Sequence, residues 1–393
     1  MDDTVRRPAF LLLLLSAFLA TACVRQPPHP SRPQPPASPP GAAVPLPGMP
    51  PVTDPRNVYR ETAADRLQAK LARLPARVYV PESLSHTVSV IDPATFRVVA
   101  RLRVGKSPQH VVPAYDLTTL WVNNNGSGTL TAIDPSTGHA GRTVPVDDPY
   151  NLYFTPNGAL AMVVAEARQR LDLRHPRTMA LERGVAVPCP GANHLDFSAD
   201  GRFFLLTCEF AGRVVKLDTE SLRVLGVLDL GGMPQDVRLT PDGRLFVVAD
   251  MMAGGVHFVD GEHLQAVGFL ATGTGAHGIY PSRDGRYLYV ANRGWTTVFG
   301  GRRGPGTVAV VDPAARRVVA VWPVPGGGSP DMGNVSADGR QLWLSGRYDS
   351  EVYVFDTATG RLLARIPVGP GPHGLTYWPQ PGRYSLGHTG NMR

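Results

Sequence analysis

The sequence predicts an all-β fold, a seven-bladed β-propeller, from two repeating features. Apolar alternation ends in Asp92, Asp134, Asp218, Asp260, Asp312 and Asp356, with His175 in the third copy, at intervals of 41 to 44 residues apart from one of 52. A pair of polar positions precedes a short strand seven times: Gln109-His110, Tyr150-Asn151, Asn193-His194, Gln235-Asp236, His277-Gly278, Asp331-Met332 and His373-Gly374. Units of about 40–45 residues with four short strands are typical of propeller blades.

The two ends of the repeat region predict how the ring closes. The first unit starts at Val78 and lacks its innermost strand, whereas Gly374–Trp378 is a strand with no partner downstream. Pairing of this last strand with Val78–Val80 completes the first blade and removes a free sheet edge. A parallel β-solenoid is the alternative fold, but its repeats are normally shorter.

Three segments of the chain resemble the repeat of the YVTN-type seven-bladed propeller family of bacteria. They are Leu288–Asn292, Thr307–Asp312 and Gly371–Gly374. The resemblance spans about residues 76–382 and implies the fold. It does not imply one function, because similar propellers include lactonase-like proteins and the haem d1 domain of nitrite reductases.

The N-terminus predicts export. Residues 1–22 combine Arg6-Arg7, an apolar run too short to span a bilayer, and small residues before Cys23, as in a lipoprotein signal peptide. We therefore expect a lipid on Cys23, the membrane as a partner, and a location outside the cytoplasm in the periplasm or at the cell surface. Because Ala20-Thr21-Ala22 also suits an ordinary signal peptidase, simple secretion stays open.

The segments that flank the propeller have separate predictions. Residues 23–57 read as a Pro-rich tether, with thirteen prolines from Pro27 to Pro55. Residues 58–75 are expected to hold one short helix, which Thr62 caps and Pro75 ends. The propeller is placed at residues 76–382, and residues 383–393 form a tail that crosses the channel mouth or the rim.

The cysteine positions predict a disulfide, and the charge distribution argues against nucleic-acid binding. A disulfide between Cys189 and Cys208 is predicted, because the turn between two strands brings them together; a thiolate metal site with His194 is the alternative. The net charge is +7, but the basic residues are scattered and no aromatic–basic stripe appears. Nucleic acid is therefore not favoured as a partner.

Polar residues of the inner strands and their turns are expected to meet at one mouth of the axial channel. Candidate ligands of a divalent metal ion are His110, His194, Asp236, His277, Glu82, Glu166, Glu209 and Asp250. Candidate contacts to another ligand are His373, Asp331, Asn292, Arg293 and Trp295, the last of these in an insertion at Gly294–Gly306 that resembles a flap. Each histidine also has a structural alternative, a hydrogen bond to the neighbouring blade.

These residues predict a module that binds a small molecule, peptide or protein through the channel mouth. A metal-dependent, lactonase-like hydrolase is the first alternative, with a carboxylate among Glu82, Glu166, Glu209 and Asp250 on the metal. A protein that binds haem or copper non-covalently is the second, with His194 or His277 as an axial ligand. The sequence leaves open whether the protein is an enzyme.

Overall fold

The computed structural model describes residues 44–393. In this part of the chain, seven antiparallel four-stranded sheets surround one axis. Six of the sheets run in chain order from the axis to the rim, and in the remaining sheet the last strand of the chain is innermost. The predicted seven-bladed propeller is confirmed. The signal peptide, Cys23 and the tether up to residue 43 lie outside the described residues. No helix among residues 44–393 is long and apolar enough to cross a membrane.

The strands of the seven blades have the following bounds. Blade 1 holds β1 (Arg77–Glu82), β2 (Thr87–Asp92), β3 (Arg97–Arg103) and the last strand, β28 (Thr376–Trp378). Blade 2 holds β4 (Pro108–Pro113), β5 (Leu120–Asn124), β6 (Thr129–Asp134) and β7 (His139–Pro145). Blade 3 holds β8 (Pro149–Phe154), β9 (Ala161–Ala165), β10 (Arg170–Arg174) and β11 (Leu181–Ala186). Blade 4 holds β12 (Ala192–Phe197), β13 (Phe203–Cys208), β14 (Arg213–Asp218) and β15 (Val224–Asp229).

The remaining blades continue the pattern. Blade 5 holds β16 (Pro234–Leu239), β17 (Leu245–Asp250), β18 (Gly255–Asp260) and β19 (Gln265–Ala271). Blade 6 holds β20 (Ala276–Pro281), β21 (Leu288–Asn292), β22 (Thr307–Asp312) and β23 (Arg317–Pro323). Blade 7 holds β24 (Pro330–Val335), β25 (Gln341–Gly346), β26 (Glu351–Asp356) and β27 (Leu362–Pro367). Short 3-10 helices lie at Arg60–Thr62, Ala64–Arg66, Asn125–Ser127, Glu166–Arg168 and Glu209–Ala211.

The ring closes in blade 1, as the sequence predicts. Strand β28 pairs antiparallel with β1, so that Tyr377 lies opposite Val78. The strand starts two residues later than expected, because Gly374 turns aside to accept a hydrogen bond from the Val111 amide of blade 2. The two ends of the propeller therefore share one sheet, and β28 covers the inner edge of β1.

Apolar side chains between neighbouring blades form the core. Each of the seven interfaces has its own buried cluster, and the one that joins blades 7 and 1 includes Trp343, Val354 and Val78. Full burial of one large apolar side chain contributes about 1.5–3 kcal/mol. The closing interface is thus held by packing as well as by hydrogen bonds.

Residues 58–75 differ from the single helix expected from the sequence. They contain two three-residue 3-10 helices, and extended backbone at Ala63 separates these. The Val58 amide donates to the Pro241 carbonyl, and the Tyr59 hydroxyl donates to the Leu239 carbonyl at 2.8 Å. Because blade 5 fixes the backbone at these points, tertiary contacts override a helical preference that is weak in so short a segment.

Blade 4 carries one covalent crosslink. Cys189 and Cys208 are joined in a disulfide, with their Cα atoms 5.2 Å apart. This is the pairing that the sequence predicts. Since both sulfur atoms are used, neither is a thiolate ligand beside His194, and the alternative metal site is wrong.

The tail, residues 383–393, fills the channel from the face opposite the mouth. The His388 amide donates to the Leu152 carbonyl, and the Phe154 amide donates to the Leu386 carbonyl. Arg393 holds the chain end through an ion pair with Asp196 at 3.0 Å. The tail therefore belongs to the channel wall and does not cross the mouth.

Candidate functional site

The polar pairs reach the axis because the innermost strands are irregular there. Pairing shifts by a β-bulge beside the pair in six blades, for example between Pro108 and Val111 in β4. A bulge interrupts strict alternation, so both members of a pair can point to one side. Five of the seven first members line a cavity at the mouth, namely Gln109, Tyr150, Gln235, His277 and His373. The second members lie one layer deeper.

The deeper layer contains three buried imidazoles, His110, His194 and His388, which we call the axial trio. One nitrogen of each ring lies within 4.8 Å of the others. The ring of His194 is centred 4.6 Å from that of His388 and 5.8 Å from that of His110. None of the three rings is exposed to solvent.

Most nitrogens of the axial trio lack hydrogen bonds. Nδ1 of His110 lies 3.0 Å from the Tyr150 carbonyl, which fixes Nδ1 as the donor and leaves Nε2 with no partner among residues 44–393. Both nitrogens of His194, and Nε2 of His388, also have none within the described chain. Burial lowers the pKa of His110 to about 3 and holds the pKa values of His194 and His388 well below their usual range. The trio is therefore neutral at pH 7.

His277, Asp331 and His373 form a second trio, and its two imidazoles line the mouth cavity. Its donor atoms also lie within 4.8 Å of one another. Asp331 accepts a 2.6 Å hydrogen bond from Nε of Arg293 and lies 3.1 Å from Nδ1 of His277. That His277 contact lacks hydrogen-bond alignment, and Oδ2 of Asp331 and Nδ1 of His373 have no partner in the described part of the chain.

The mouth cavity has a volume of about 270 Å³, and its walls differ in charge. Glu166 and Glu209 line it from blades 3 and 4, whereas Arg293 and Arg347 line it from blades 6 and 7. Burial, followed by the charge of Glu209, raises the pKa of Glu166 to about 9. Glu166 is therefore protonated at pH 7. Nη1 of Arg347 is buried, with no hydrogen-bond partner in residues 44–393.

The insertion at Gly294–Gly306 overhangs this cavity through its tip. Val298 and Phe299 line the cavity, and the Phe299 side chain is 83% exposed. Two contacts to blade 7 anchor the loop: the Tyr348 hydroxyl donates to the Val298 carbonyl, and Arg303 pairs with Glu351 at 2.9 Å. Trp295 lies outside the cavity lining, against the backbone of its own loop.

Several predicted ligands lie away from both trios. Glu82 accepts bonds from Ser89 and the Gly369 amide, and Asp250 accepts bonds from the Met233 and Ala253 amides. Asn292 bonds to Thr272 and Thr307. These three side chains stabilise turns of their own blades.

Asp236 is the second member of the polar pair in blade 5 and lies beside the axial trio. Its two oxygens accept the amides of Val237 and Ile279, and Arg238 approaches to 3.1 Å. Burial raises the pKa of Asp236 to about 6. Its Oδ1 is 3.8 Å from Nε2 of His388, so it supplies negative charge beside the trio.

Three functional residues were not among the predicted site residues. Tyr150 belongs to a polar pair, and that repeat position is the signal that could have identified it. Arg347 lies in the turn after the second strand of blade 7, at the repeat position that Arg293 occupies in blade 6, and that equivalence is the signal that could have identified it. His388 lies in the tail, outside the repeat, and only the folded chain shows where it goes.

A larger depression of about 740 Å³ lies on the opposite face, lined by residues such as Arg56, Asp242 and Arg244. These charged side chains are exposed to solvent. Because buried, unpartnered polar atoms converge at the axis instead, the axial cavity is the candidate functional site.

Fold and site define a seven-bladed propeller with a polar, partly buried axial site. The sequence profile of the YNCE-like beta-propeller matches residues 62–381. The chain belongs to this family. No curated protein matches the sequence.

Solved structures share the fold at low sequence identity. Kuenenia stuttgartiensis hydrazine synthase is 20% identical, with a TM-score of 0.58 over 68% of this chain and 88% of that one. Dihydro-heme d1 dehydrogenase NirN, in complex with DHE, is 16% identical, with a TM-score of 0.60 over 79% and 78%. A putative 6-phosphogluconolactonase from Bacteroides uniformis is 18% identical, with a TM-score of 0.61 over 77% and 99%. At these identities the likeness concerns the fold alone.

Proposed function

We propose that this protein is an exported, lipid-anchored binding module whose mouth cavity takes a small organic molecule with an anionic group. The observation that carries the proposal is the Arg347 guanidinium, whose buried Nη1 has no partner among the described residues. A buried donor without a partner is costly, and a carboxylate or phosphate supplies the missing acceptor.

The charge distribution determines how such a ligand lies. Arg293 is already paired with Asp331, which leaves Arg347 as the cation that an anionic group would meet. The opposite wall offers the protonated Glu166 as a hydrogen-bond donor and Glu209 as an acceptor. A molecule with an anionic group at one end and a hydroxyl or amine at the other can therefore bind Arg347 and the two glutamates at the same time.

The flap tip supplies the apolar contact. Phe299 projects over the mouth from an anchored loop, so an aromatic face is available without ordering the whole loop. A cavity of about 270 Å³ is at the small end for ligand sites and favours a compact molecule. A macrocycle does not fit beside His194, because neighbouring imidazoles surround this ring and the tail fills the channel below.

Binding can be tested by calorimetry with a panel of hydroxy acids, amino acids and sugar phosphates. R347M should weaken binding of a hit by at least about 10-fold, since a charge-assisted hydrogen bond contributes about 1.5–3 kcal/mol. R340M is the matched control, because Arg340 is exposed in the same blade and outside the cavity. Equal affinity in both variants would place the ligand elsewhere and refute the proposal.

Export and anchoring need a separate test, because Cys23 lies outside the described residues. The disulfide in blade 4 supports an oxidising compartment. Labelled palmitate should enter the wild-type protein but not C23S, and C23S should leave the membrane fraction. A protein that is processed and soluble with Cys23 intact favours ordinary secretion.

A further inference from the structure

We propose that the axial trio, His110, His194 and His388, binds one divalent transition-metal ion of the zinc or copper class. This inference does not depend on the organic ligand, because the trio lies below the cavity. Four nitrogen atoms of the trio are buried and lack hydrogen-bond partners within residues 44–393. A metal ion is the partner that would satisfy several of them at once.

The donor set selects the kind of metal. Three neutral imidazoles suit Zn²⁺, Cu²⁺ and similar ions, whereas Ca²⁺ and Mg²⁺ prefer oxygen. Tetrahedral ligands at about 2.05 Å from zinc lie about 3.4 Å apart. Because the nitrogens lie within 4.8 Å of one another, binding needs each pair of nitrogens to approach by at most about 1.4 Å.

The backbone makes room for the trio. Gly374 occupies the second place of its polar pair, and a Cβ atom there would lie 2.1 Å from Cδ2 of His110. The ring of His110 therefore fills the space that a side chain in blade 1 would take. His388 enters from the tail and stacks on Tyr153, with ring centres 6.0 Å apart.

Outer contacts hold the rings in place. The Tyr150 carbonyl accepts from Nδ1 of His110, which directs Nε2 to the axis, as in many metal sites. The Asn151 amide nitrogen lies 3.1 Å from Nδ1 of His388. The amide nitrogen can only donate, whereas coordination of a metal ion through Nε2 of His388 needs the proton on Nδ1. A hydrogen-bond acceptor at position 151 should therefore strengthen metal binding.

Charge compensation is also present. Asp236 lies 3.8 Å from His388, and Asp331 lies in the layer above. Nearby carboxylates reduce the cost of a buried cation. Since the tail occupies the channel below, a fourth ligand would approach from the side of His277 and His373, whose rings are 6.1 Å from His194 and 4.8 Å from His110.

The test uses purified full-length protein, stripped with chelator and titrated with Zn²⁺, Cu²⁺ and, as a control, Mg²⁺. We expect one tight equivalent of Zn²⁺ or Cu²⁺ and no binding of Mg²⁺. H194Q and H388Q should each weaken binding by more than about 100-fold, because even outer-contact changes cost 10–100-fold. H139Q, at an exposed site on β7, should bind as the wild type does.

Two further measurements keep the proposal testable if a histidine variant fails to fold. Cobalt bound to the wild-type protein should show the intense visible bands of a tetrahedral nitrogen site. N151D should tighten metal binding by about 10-fold, because its carboxylate accepts the Nδ1 proton of His388. A purely structural trio predicts no such gain.

Other outcomes overturn the assignment. Folded wild-type protein that binds none of the transition ions refutes it. Binding that H373Q abolishes and H388Q leaves unchanged places the metal at the second trio instead. Protein that binds the organic ligand but no metal ion refutes the metal site alone. Protein that binds metal but no organic ligand refutes the proposed function alone.

Discussion

Replacement of Glu166 by glutamine should stabilise the protein at neutral pH. The pKa of Glu166 rises from 4.5 to about 9 in the folded state. Between these values the folded chain keeps a proton that the unfolded chain releases, so stability falls as pH rises from about 4.5 to about 9. The full shift costs about 3 kcal/mol at pH 7, and partial exposure reduces this to about 2 kcal/mol. E166Q removes that cost and keeps the shape of the side chain.

The assay is urea unfolding of wild-type protein and E166Q at pH 4, 7 and 8.5. The variant should match the wild type at pH 4, where Glu166 is protonated in both states, and exceed it by about 2 kcal/mol at pH 7. E182Q serves as the control, because Glu182 is exposed on the outer strand of the same blade. Parallel stability curves for wild type and E166Q across this range would refute the reasoning that links Glu166 to its buried neighbour.

Three more outcomes follow from the structure. Lowering the pH from 7 to 5 should destabilise the metal-free protein by about 2 kcal/mol for each of the five imidazoles that are buried among residues 44–393. Burial depresses their pKa values, so the unfolded chain takes up protons that the folded chain does not, and urea unfolding at the two pH values checks this. G374A should cost about 1–3 kcal/mol because its Cβ displaces His110, whereas G268A, at an uncrowded strand position, should change little in thermal melts. C189S/C208S should lose about 3 kcal/mol, since the disulfide closes a loop with a sequence separation of 19, and reduction of the wild type should reproduce the loss.

The sequence predicts the repeating part of this protein well and the irregular part poorly. Blade boundaries and ring closure follow from period-two alternation and from the unpaired strands at the two ends, which are local signals. Strict alternation assigns only the second member of each polar pair, such as His110, to the channel. The β-bulges place Tyr150 and His277 there too, and a bulge has no separate signature in one sequence.

Other differences arise from contacts that are distant in sequence. Glu82 and Glu166 occupy the same repeat position, yet Glu82 accepts bonds from Ser89 and the Gly369 amide, whereas Glu166 lies beside Glu209 in the wall of the mouth cavity. The chemistry of position 82 is set by a hydroxyl on the neighbouring strand β2 and by the chain before β28. Residue type at a repeat position therefore identifies a set of candidate site residues. The groups that contact each candidate in the folded chain determine whether its side chain is free to contact a ligand.

The order of the chain has a consequence for the axial site. Blade 1 cannot close until β28 pairs with β1, and His388 follows β28 by ten residues. Arg393, the last residue, then secures the tail to Asp196 of blade 4. The innermost layer of the site thus forms from the two ends of the propeller and from its centre, and it is complete only when the whole ring is folded. A chain that lacks the tail can retain seven blades by packing, but it loses one imidazole and the floor of the channel together.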